Sequence, residues 1–369
     1  MVTRTIRRQA NRDITTAETQ TQQQREWPGV SVVVYSAGEA SALERLLPSI
    51  LEQEYPGEME IIVVNDGRNE AVKDCVTLLR NRHRNIYITY TPEESRNLSR
   101  KKLSITLGIK AARHEVMVIT EERAQLPDKH WLRNMVTPMA SDPSIEIVTG
   151  YSTPDHKTDR QRGARYRSFD HAANGVAYLS DALARHPWRG TSFNLAYRKD
   201  TFFRNKGFGH SLSLQTGDDD IFVSEVATAT NCAVEIAPGS QITVTAPDTR
   251  RYHRHERTAR AFSARHIKRR PRMFFGLSSA MMWLWLILSA GAIAIGWPEW
   301  WPAAIVAGTA CLLWIPVMIV WHSALRALNA RRLLLTVPGM LLRRPFTNLR
   351  YRRRAYRNRH QNYTWSAPS

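Results

Sequence analysis

Glu60-Ile61-Ile62-Val63-Val64-Asn65-Asp66-Gly67 sets four consecutive β-branched residues between an acid and an Asn-Asp-Gly turn. A strand with one wet face alternates apolar and polar residues, whereas an unbroken apolar run marks a strand covered on both faces, as in parallel sheets. Ser31-Val32-Val33-Val34-Tyr35, nearer the N-terminus, repeats the signature. A turn, Ser36-Ala37-Gly38-Glu39, follows it. Next comes a stripe of Leu43, Leu46, Leu47, Ile50 and Leu51 at helical spacing, broken at Pro56-Gly57. In the other direction the pattern predicts a helix over about 70–82 and a strand at 86–90. A helical stretch carrying Leu103, Ile105, Leu107 and Ile109 comes next, then strands at 116–119 and 145–148. Strands alternating with helices predict an α/β fold with a Rossmann-like, doubly wound parallel sheet. Ligands of such sheets bind at the carboxyl ends of the strands. Glu39, Asp66 and the run Glu121-Glu122-Arg123 all hang from those ends. From Gly150 to about Thr249 the pattern is α+β, with a helix over 160–177, a turn into a strand at 190–198 and a helix opening near 218.

The chain has 369 residues, 43% of them apolar, enough for a sizeable core, and a formal net charge of +19. Such a balance implies an anionic partner: nucleic acid, a phospholipid surface or a phosphorylated substrate. The three cysteines, Cys75, Cys232 and Cys311, lie far apart, which excludes a zinc ribbon and a disulfide framework. Residues 1–28 hold no apolar run and are expected to form a polar tail that is disordered or loosely bound to a surface, not a secretory signal.

In this basic chain three acids stand together, Asp218-Asp219-Asp220, after Thr216-Gly217 and before Ile221-Phe222. Adjacent carboxylates repel, so their grouping implies either a helix N-terminus, where acids complement the macrodipole, or a catalytic base with a supporting acid.

Residues 274–297 and 301–321 carry no charge, and three residues separate them. Each is long enough to span about 30 Å of hydrocarbon. Trp297, Trp300, Trp301 and Trp321 suit a membrane interface. Arginines and lysines crowd both flanks, from Arg265 to Arg272 and from Arg326 to Arg354, which predicts a transmembrane hairpin with both flanks cytoplasmic. Residues 333–342 are too short to span and are expected in the interface. The C-terminal basic run is expected on anionic membrane lipid, with no nucleic acid. The resulting division is a polar tail (1–28), a catalytic α/β domain (29–250), a basic juxtamembrane segment (251–272), a two-helix transmembrane hairpin (273–324) and a basic cytoplasmic tail (325–369).

Read together, these pieces resemble the family 2 glycosyltransferases of GT-A fold, in particular bacterial membrane-attached members with a cytoplasmic catalytic domain. The resemblance runs from about Val30 to Trp321. It rests on the opening strand and Glu39, Gln53-Glu54-Tyr55-Pro56, the run from Glu60 to Gly67, and Asn97-Leu98-Ser99-Arg100-Lys101-Lys102. Leu126-Pro127 with Trp131-Leu132, Asn194 to Lys199, and Gly217-Asp218-Asp219-Asp220 complete it. It implies an inverting transfer of a sugar from a nucleotide-sugar donor to a lipid-linked or other envelope glycan acceptor at the bacterial inner membrane. It further implies that Glu39, Asp66, Lys102, Glu121 and Arg123 meet the nucleotide sugar, and that Asp219 or Asp218 is the general base. Asn194, Arg257 and Arg260 are expected near the acceptor or the diphosphate. Two motifs depart from the family. Its Asp-x-Asp pair, which holds a divalent metal (Mg or Mn), here reads Glu121-Glu122-Arg123. Glu121 and Glu122 are the remaining metal candidates, and a guanidinium in the second ligand's place implies either direct neutralisation of the diphosphate or a lost active site. The Gln-x-x-Arg-Trp/His motif is reduced to Arg260 within Arg257-Thr258-Ala259-Arg260-Ala261. The alternative reading is a catalytically silent membrane protein that binds a nucleotide or a partner synthase.

Overall fold

The computed structural model describes residues 1–6, 8–9, 26–92, 97–156, 159–267 and 274–364, the side chains of the last stretch from residue 280 onward. The N-terminal half alternates β1 (Val30–Ser36), α1 (Ala40–Leu51), β2 (Met59–Asn65), α2 (Glu70–Arg80), β3 (Ile86–Tyr90), α3 (Arg100–Ala111) and β4 (Val116–Glu121). The four strands are parallel in the order β3-β2-β1-β4. The apolar runs serve two cores at once. Val30, Val32 and Val34 pack with Leu43, Leu46, Leu47 and Ile50 of α1 on one face. Val33, Ile62 and Val64 pack with Ile105 and Ile109 of α3 on the other. Each such side chain contributes about 1.5–3 kcal/mol by leaving water.

The chain continues through β5 (Ala124–Gln125), α4 (Trp131–Ser141), β6 (Ile147–Thr149), β7 (Ser152–Pro154), α5 (Ala164–Leu183), β8 (Leu195–Arg198), α6 (Lys199–Arg204), α7 (Asp220–Val226), β9 (Cys232–Val234), β10 (Ile242–Val244) and α8 (Thr249–Ser263). The main sheet has seven strands, β3-β2-β1-β4-β8-β6-β9, and a small second sheet is ordered β5-β10-β7. The sheet is not parallel throughout. β8 runs antiparallel to both β4 and β6. Its first residue, Leu195, pairs with Ile119 near the carboxyl end of β4, so the turn that feeds it, residues 191–194, sits at the ligand edge of the sheet.

Three helices follow: α9 (Phe274–Gly296), α10 (Trp301–Ala327) and α11 (Val337–Arg357). Among the described residues, α10 is the one helix long and apolar enough to cross a membrane, and its most apolar stretch is 0% buried. The apolar helix before it is described over Ala280–Gly296. The two pack against each other, with the rings of Trp285 and Trp314 6.3 Å apart. The basic residues expected before α9, Lys268, Arg269, Arg270 and Arg272, lie outside the described residues.

Two expectations are corrected at the ends of the chain. Residues 333–342 do not lie free in an interface: Leu333, Val337 and Leu341 are buried against Phe169, Ala172 and Ala173 of α5. Residues 2–6 and 8–9 are helical, not a disordered tail. Val2 and Ile6, four residues apart and therefore on one helical face, are buried with Tyr178 and Leu179. Gln9 Nε2 donates to the Val234 carbonyl at 2.8 Å. Residues 10–25 of the expected tail lie outside the described residues.

α5, α8 and α11 are joined at one buried carboxylate. Asp170 meets His253 Nε2 at 3.0 Å, Arg257 Nε at 2.9 Å and Arg344 Nε at 3.4 Å. Burial works against the charged form of Asp170, but Arg257, His253 and Arg344 outweigh it and hold the carboxyl well below the usual carboxylate range. The last described residues return to the α/β domain: Thr364 N donates to the Ser213 carbonyl at 3.0 Å and Gln215 N to the Asn362 carbonyl at 2.9 Å.

Candidate functional site

The register of the parallel strands lines up their carboxyl ends, with Ser36 opposite Asn65 and Tyr35 opposite Glu121. Asp66, just beyond β2, accepts the Tyr35 hydroxyl at 3.0 Å and Arg100 Nη2 and Nε at 2.6 and 2.9 Å. Burial and then Asp66 push the Tyr35 phenol well up. Glu39 occupies the N-cap position of α1 and takes Arg123 Nε on its carboxylate at 2.6 Å. Glu121, the last residue of β4, accepts Lys101 Nζ at 2.8 Å and the Ser192 hydroxyl.

The three aspartates have three different jobs. Gly217 before them has φ +96°, and a Cβ there would lie 2.3 Å from Ile221, so the turn that delivers them needs glycine. Asp220 is buried. Its carboxylate takes the Ser263 hydroxyl and, at 2.8 Å, the Ile221 amide, which ties α7 to α8. Asp218, also buried, pairs with Lys101 Nζ at 2.8 Å. Burial opposes its ionisation, but Lys101 prevails and its pKa is lowered. Asp219 caps α7 by accepting the Asp220 amide at 2.7 Å. Burial and the like charges of Asp220 and Asp218 push its carboxyl up to about 7. A carboxyl with that value is neutral in acid and a competent base near neutrality.

Asp218 and Asp219 open into a cleft of about 380 Å³ at the strand ends, shared with Tyr35, Lys101, Glu121, Arg123, Arg189 and Ser192. Its far wall is one face of α8: Tyr252, His255, Glu256, Ala259, Arg260 and Ser263, at spacings of three, four and seven residues. Arg189 is buried, with its guanidinium 5.5 Å from the Tyr178 ring. Arg260 pairs with Glu256. Burial, and then Arg189, push the Arg260 guanidinium down to about 10. Glu256 also meets His171 Nδ1 at 3.2 Å, and burial, with Arg260 beside it, keeps His171 neutral with its pKa near about 3.

A carboxyl with its pKa raised to about 7 thus sits among cations at the carboxyl edge of an α/β sheet in which β8 alone runs against the other strands. The family model described as Glycosyl transferase family 2 matches residues 31–206. The chain carries a family 2 glycosyltransferase domain. Its fold is GT-A. The mannosyltransferase PcManGT from Pyrobaculum calidifontis, solved in complex with GDP-Man and Mn2+, is similar with a TM-score of 0.52 at 19% identity, over 88% of this chain and 88% of that one. Glucosyl-3-phosphoglycerate synthase from Mycobacterium tuberculosis, solved with phosphoglyceric acid, aligns at 12% identity and a TM-score of 0.45 over 66% of this chain and 81% of that one. No curated protein matches the chain.

The transferase thus brings together Asp218, Asp219, Glu121, Arg123 and Arg260 in one cleft, with Asp66 and Glu39 at its edge through Arg100, Tyr35 and Arg123. Other expected site residues are placed elsewhere. Lys102 is wholly buried and donates to the carbonyls of Ser211 and Thr216 at 2.6 and 2.8 Å. It pins the loop that leads to the aspartates, and its neighbour Lys101 faces the cleft instead. Asn194 is wholly buried, taking the Trp131 indole N–H at 3.0 Å and donating to the carbonyls of Tyr151 and Ser240 at 3.0 and 2.6 Å. Arg257 belongs to the Asp170 junction and also reaches Asn174 and Asn348. Glu122 does line the cleft, but its carboxylate accepts the Ser36 hydroxyl at 2.7 Å and the Glu39 amide at 2.9 Å, bracing the β1–α1 loop.

The residues present do not fit a divalent ion. Glu121 is engaged by an ammonium and a hydroxyl, Glu122 by the β1–α1 loop, and Arg123 by Glu39. Among the described residues there is no group of three or more His, Cys, Asp or Glu that could hold a metal. Lys101, Arg189 and the cleft face of α8 apart from Arg260 were absent from the sequence-derived site. For Lys101 a signal existed: Lys102, Ile105 and Ile109 share one helical stripe, which puts residue 102 on the core side and residue 101 off it.

Proposed function

We propose that the chain is a membrane-anchored inverting glycosyltransferase. It moves a sugar from a nucleotide-sugar donor to a lipid-linked or other envelope glycan acceptor at the cytoplasmic face of a bacterial inner membrane. One observation carries the reading: Asp219, a carboxyl poised near pH 7, shares a cleft with Arg189, Arg260 and Arg123. In the reaction the acceptor oxygen attacks the anomeric carbon from the side opposite the leaving group, while Asp219 takes its proton. The bond from that carbon to the diphosphate oxygen breaks, and the electron pair stays on the diphosphate, where the cleft's guanidinium groups meet the developing charge. The donor lies along the strand ends, toward Asp66 and Glu39.

The membrane part of the reading rests on two features. α10 is exposed and apolar, and its hairpin partner α9 follows the cleft-lining helix α8 in the chain. Residues 362–364 and the N-terminal helix both contact the α/β domain, so both ends lie on its side of any bilayer the hairpin crosses, which supports two crossings. Arg352, Arg353 and Arg357 of α11, grouped with Arg265, supply a basic surface for anionic lipid.

The experiment is release of nucleoside diphosphate from a panel of sugar nucleotides, with membranes supplied as acceptor and the Asp219→Asn protein as control. Release that depends on Asp219 supports the proposal. Nucleotide binding without turnover of any donor favours the non-catalytic alternative, which Arg123 in the place of the family's second metal ligand, paired with Glu39, supports.

A further inference from the structure

The place a divalent ion would be expected to fill already holds a cation. Lys101 Nζ lies 2.8 Å from Glu121 Oε1, 2.8 Å from Asp218 Oδ2 and 3.0 Å from Ser192 Oγ. These three oxygens come from three separate elements: the end of β4, the turn before α7 and the turn before β8. Oxygen donors gathered from separate elements are how proteins hold hard divalent cations. The ammonium donates to Glu121 and Ser192 and pairs by charge with Asp218. A divalent ion entering between Glu121 and Asp218 would lie against Lys101, charge against like charge.

Two carboxylates against one ammonium leave this group one negative charge, so it cannot by itself attract a diphosphate. The remaining cations of the cleft supply the opposite sign. Arg260 is held by Glu256. Arg189 is buried in the same cleft, and its Nε has no hydrogen-bond partner among the described residues. A buried donor left unpaired is costly unless a ligand completes it.

We propose that this transferase works without a resident divalent cation: Lys101 Nζ holds the cation place between Glu121 and Asp218, and Arg189 donates to the donor's diphosphate. The second half rests on the proposed glycosyl transfer, whereas the first stands apart from it.

The test uses the full chain in detergent and Mn2+ itself as the probe, followed by the electron paramagnetic resonance signal of the free ion. The wild-type protein should leave the signal undiminished into the millimolar range. Lys101→Ala should gain one Mn2+ site per chain, at least tenfold tighter than any wild-type binding, and Lys101→Ala with Asp218→Asn should lose it. A wild-type protein that binds one Mn2+ at micromolar concentration, with the site removed by Glu121→Gln, overturns the assignment of Lys101, as does a folded Lys101→Ala that gains no site. If Lys101→Ala does not fold, the wild-type titration decides alone. For Arg189, UDP and GDP are titrated in chelator. Wild type should bind one of them, and Arg189→Met should weaken that binding at least tenfold. Binding that appears only when Mn2+ is added, or is unchanged in Arg189→Met, overturns this half. Absence of binding to either nucleotide under any condition counts against both Arg189 and the donor reading, and leaves the Mn2+ result to decide Lys101.

Discussion

Replacing Asp219 with asparagine should slow the transferase and stabilise its fold, and the two effects have one cause. The Asp219 carboxyl has a pKa of about 7 in the fold against an ordinary 3.8, because burial, Asp220 and Asp218 disfavour its charge. A folded-state pKa above the unfolded one means that the native protein holds the proton more tightly. Stability is then lost as pH rises from about 4 to 7 and is constant above. At 1.36 kcal/mol per pH unit the full cost at pH 8 is about 4 kcal/mol. The mouth of the cleft is open to solvent, whose screening lowers this to on the order of 2 kcal/mol. Asparagine removes the charge but keeps an oxygen to cap the Asp220 amide, so it should recover that energy. Thermal unfolding in detergent should show Asp219→Asn melting a few degrees above wild type at pH 8, with the difference vanishing near pH 4. Turnover, followed as nucleoside diphosphate release, should fall by roughly 10² to 10⁴ in the variant. Wild-type turnover should drop about tenfold per unit below pH 7 and level off above it, while the variant's residual rate should lack that inflection. Full activity in Asp219→Asn, or a variant that melts below wild type at pH 8, would refute the account of this residue.

Asn194→Ala should act on stability, not on the donor. It leaves the Trp131 indole N–H and the Ser240 carbonyl unpaired in the core, while the Tyr151 carbonyl keeps the Ile242 amide, at a cost of about 2–4 kcal/mol visible in chemical unfolding, with nucleotide affinity unchanged in the folded fraction. Deleting the chain after Asn358 removes the contacts of Asn362 and Thr364 with the loop at 213–215 and the bond from Thr364 Oγ1 to the Asn97 carbonyl at 2.7 Å. Because that loop delivers the aspartates, turnover should fall roughly tenfold or more while the unfolding midpoint of the α/β domain changes little. A reporter fused after Ser369 should read cytoplasmic and a tag between Trp297 and Trp301 should read on the opposite side. A C-terminus and a tag on the same side would contradict the hairpin crossing.

The sequence alone indicated the parallel core, because short β-branched runs such as Ile61-Ile62-Val63-Val64 alternate with helical patterns, which calls for strands with apolar layers on both faces. It also determined that acids and Arg123 would meet at one edge, since parallel strands share an orientation and their carboxyl ends fall together. It marked the aspartates too, because three adjacent carboxylates in a chain of net charge +19 need a reason. The direction of individual side chains was decided only by tertiary structure. Lys101 and Lys102 differ by one step of about 100° around α3, which is the difference between the cleft and the floor beneath the loop that delivers the aspartates. Arg257 and Arg260, three residues apart on α8, are divided the same way: the carboxylate of Asp170, 87 residues earlier in the chain, claims the first, and the second is left to line the cleft. The same holds for the partners of the aspartates. Their local sequence is symmetric, and only Lys101 beside Asp218 and Ser263 against Asp220 leave Asp219 as the carboxyl that burial and its neighbours drive toward neutrality. Local pattern fixes which residues are apolar and how the backbone runs, but helical phase and the choice of ionic partner depend on contacts between segments far apart in sequence, and those contacts exist only in the folded chain.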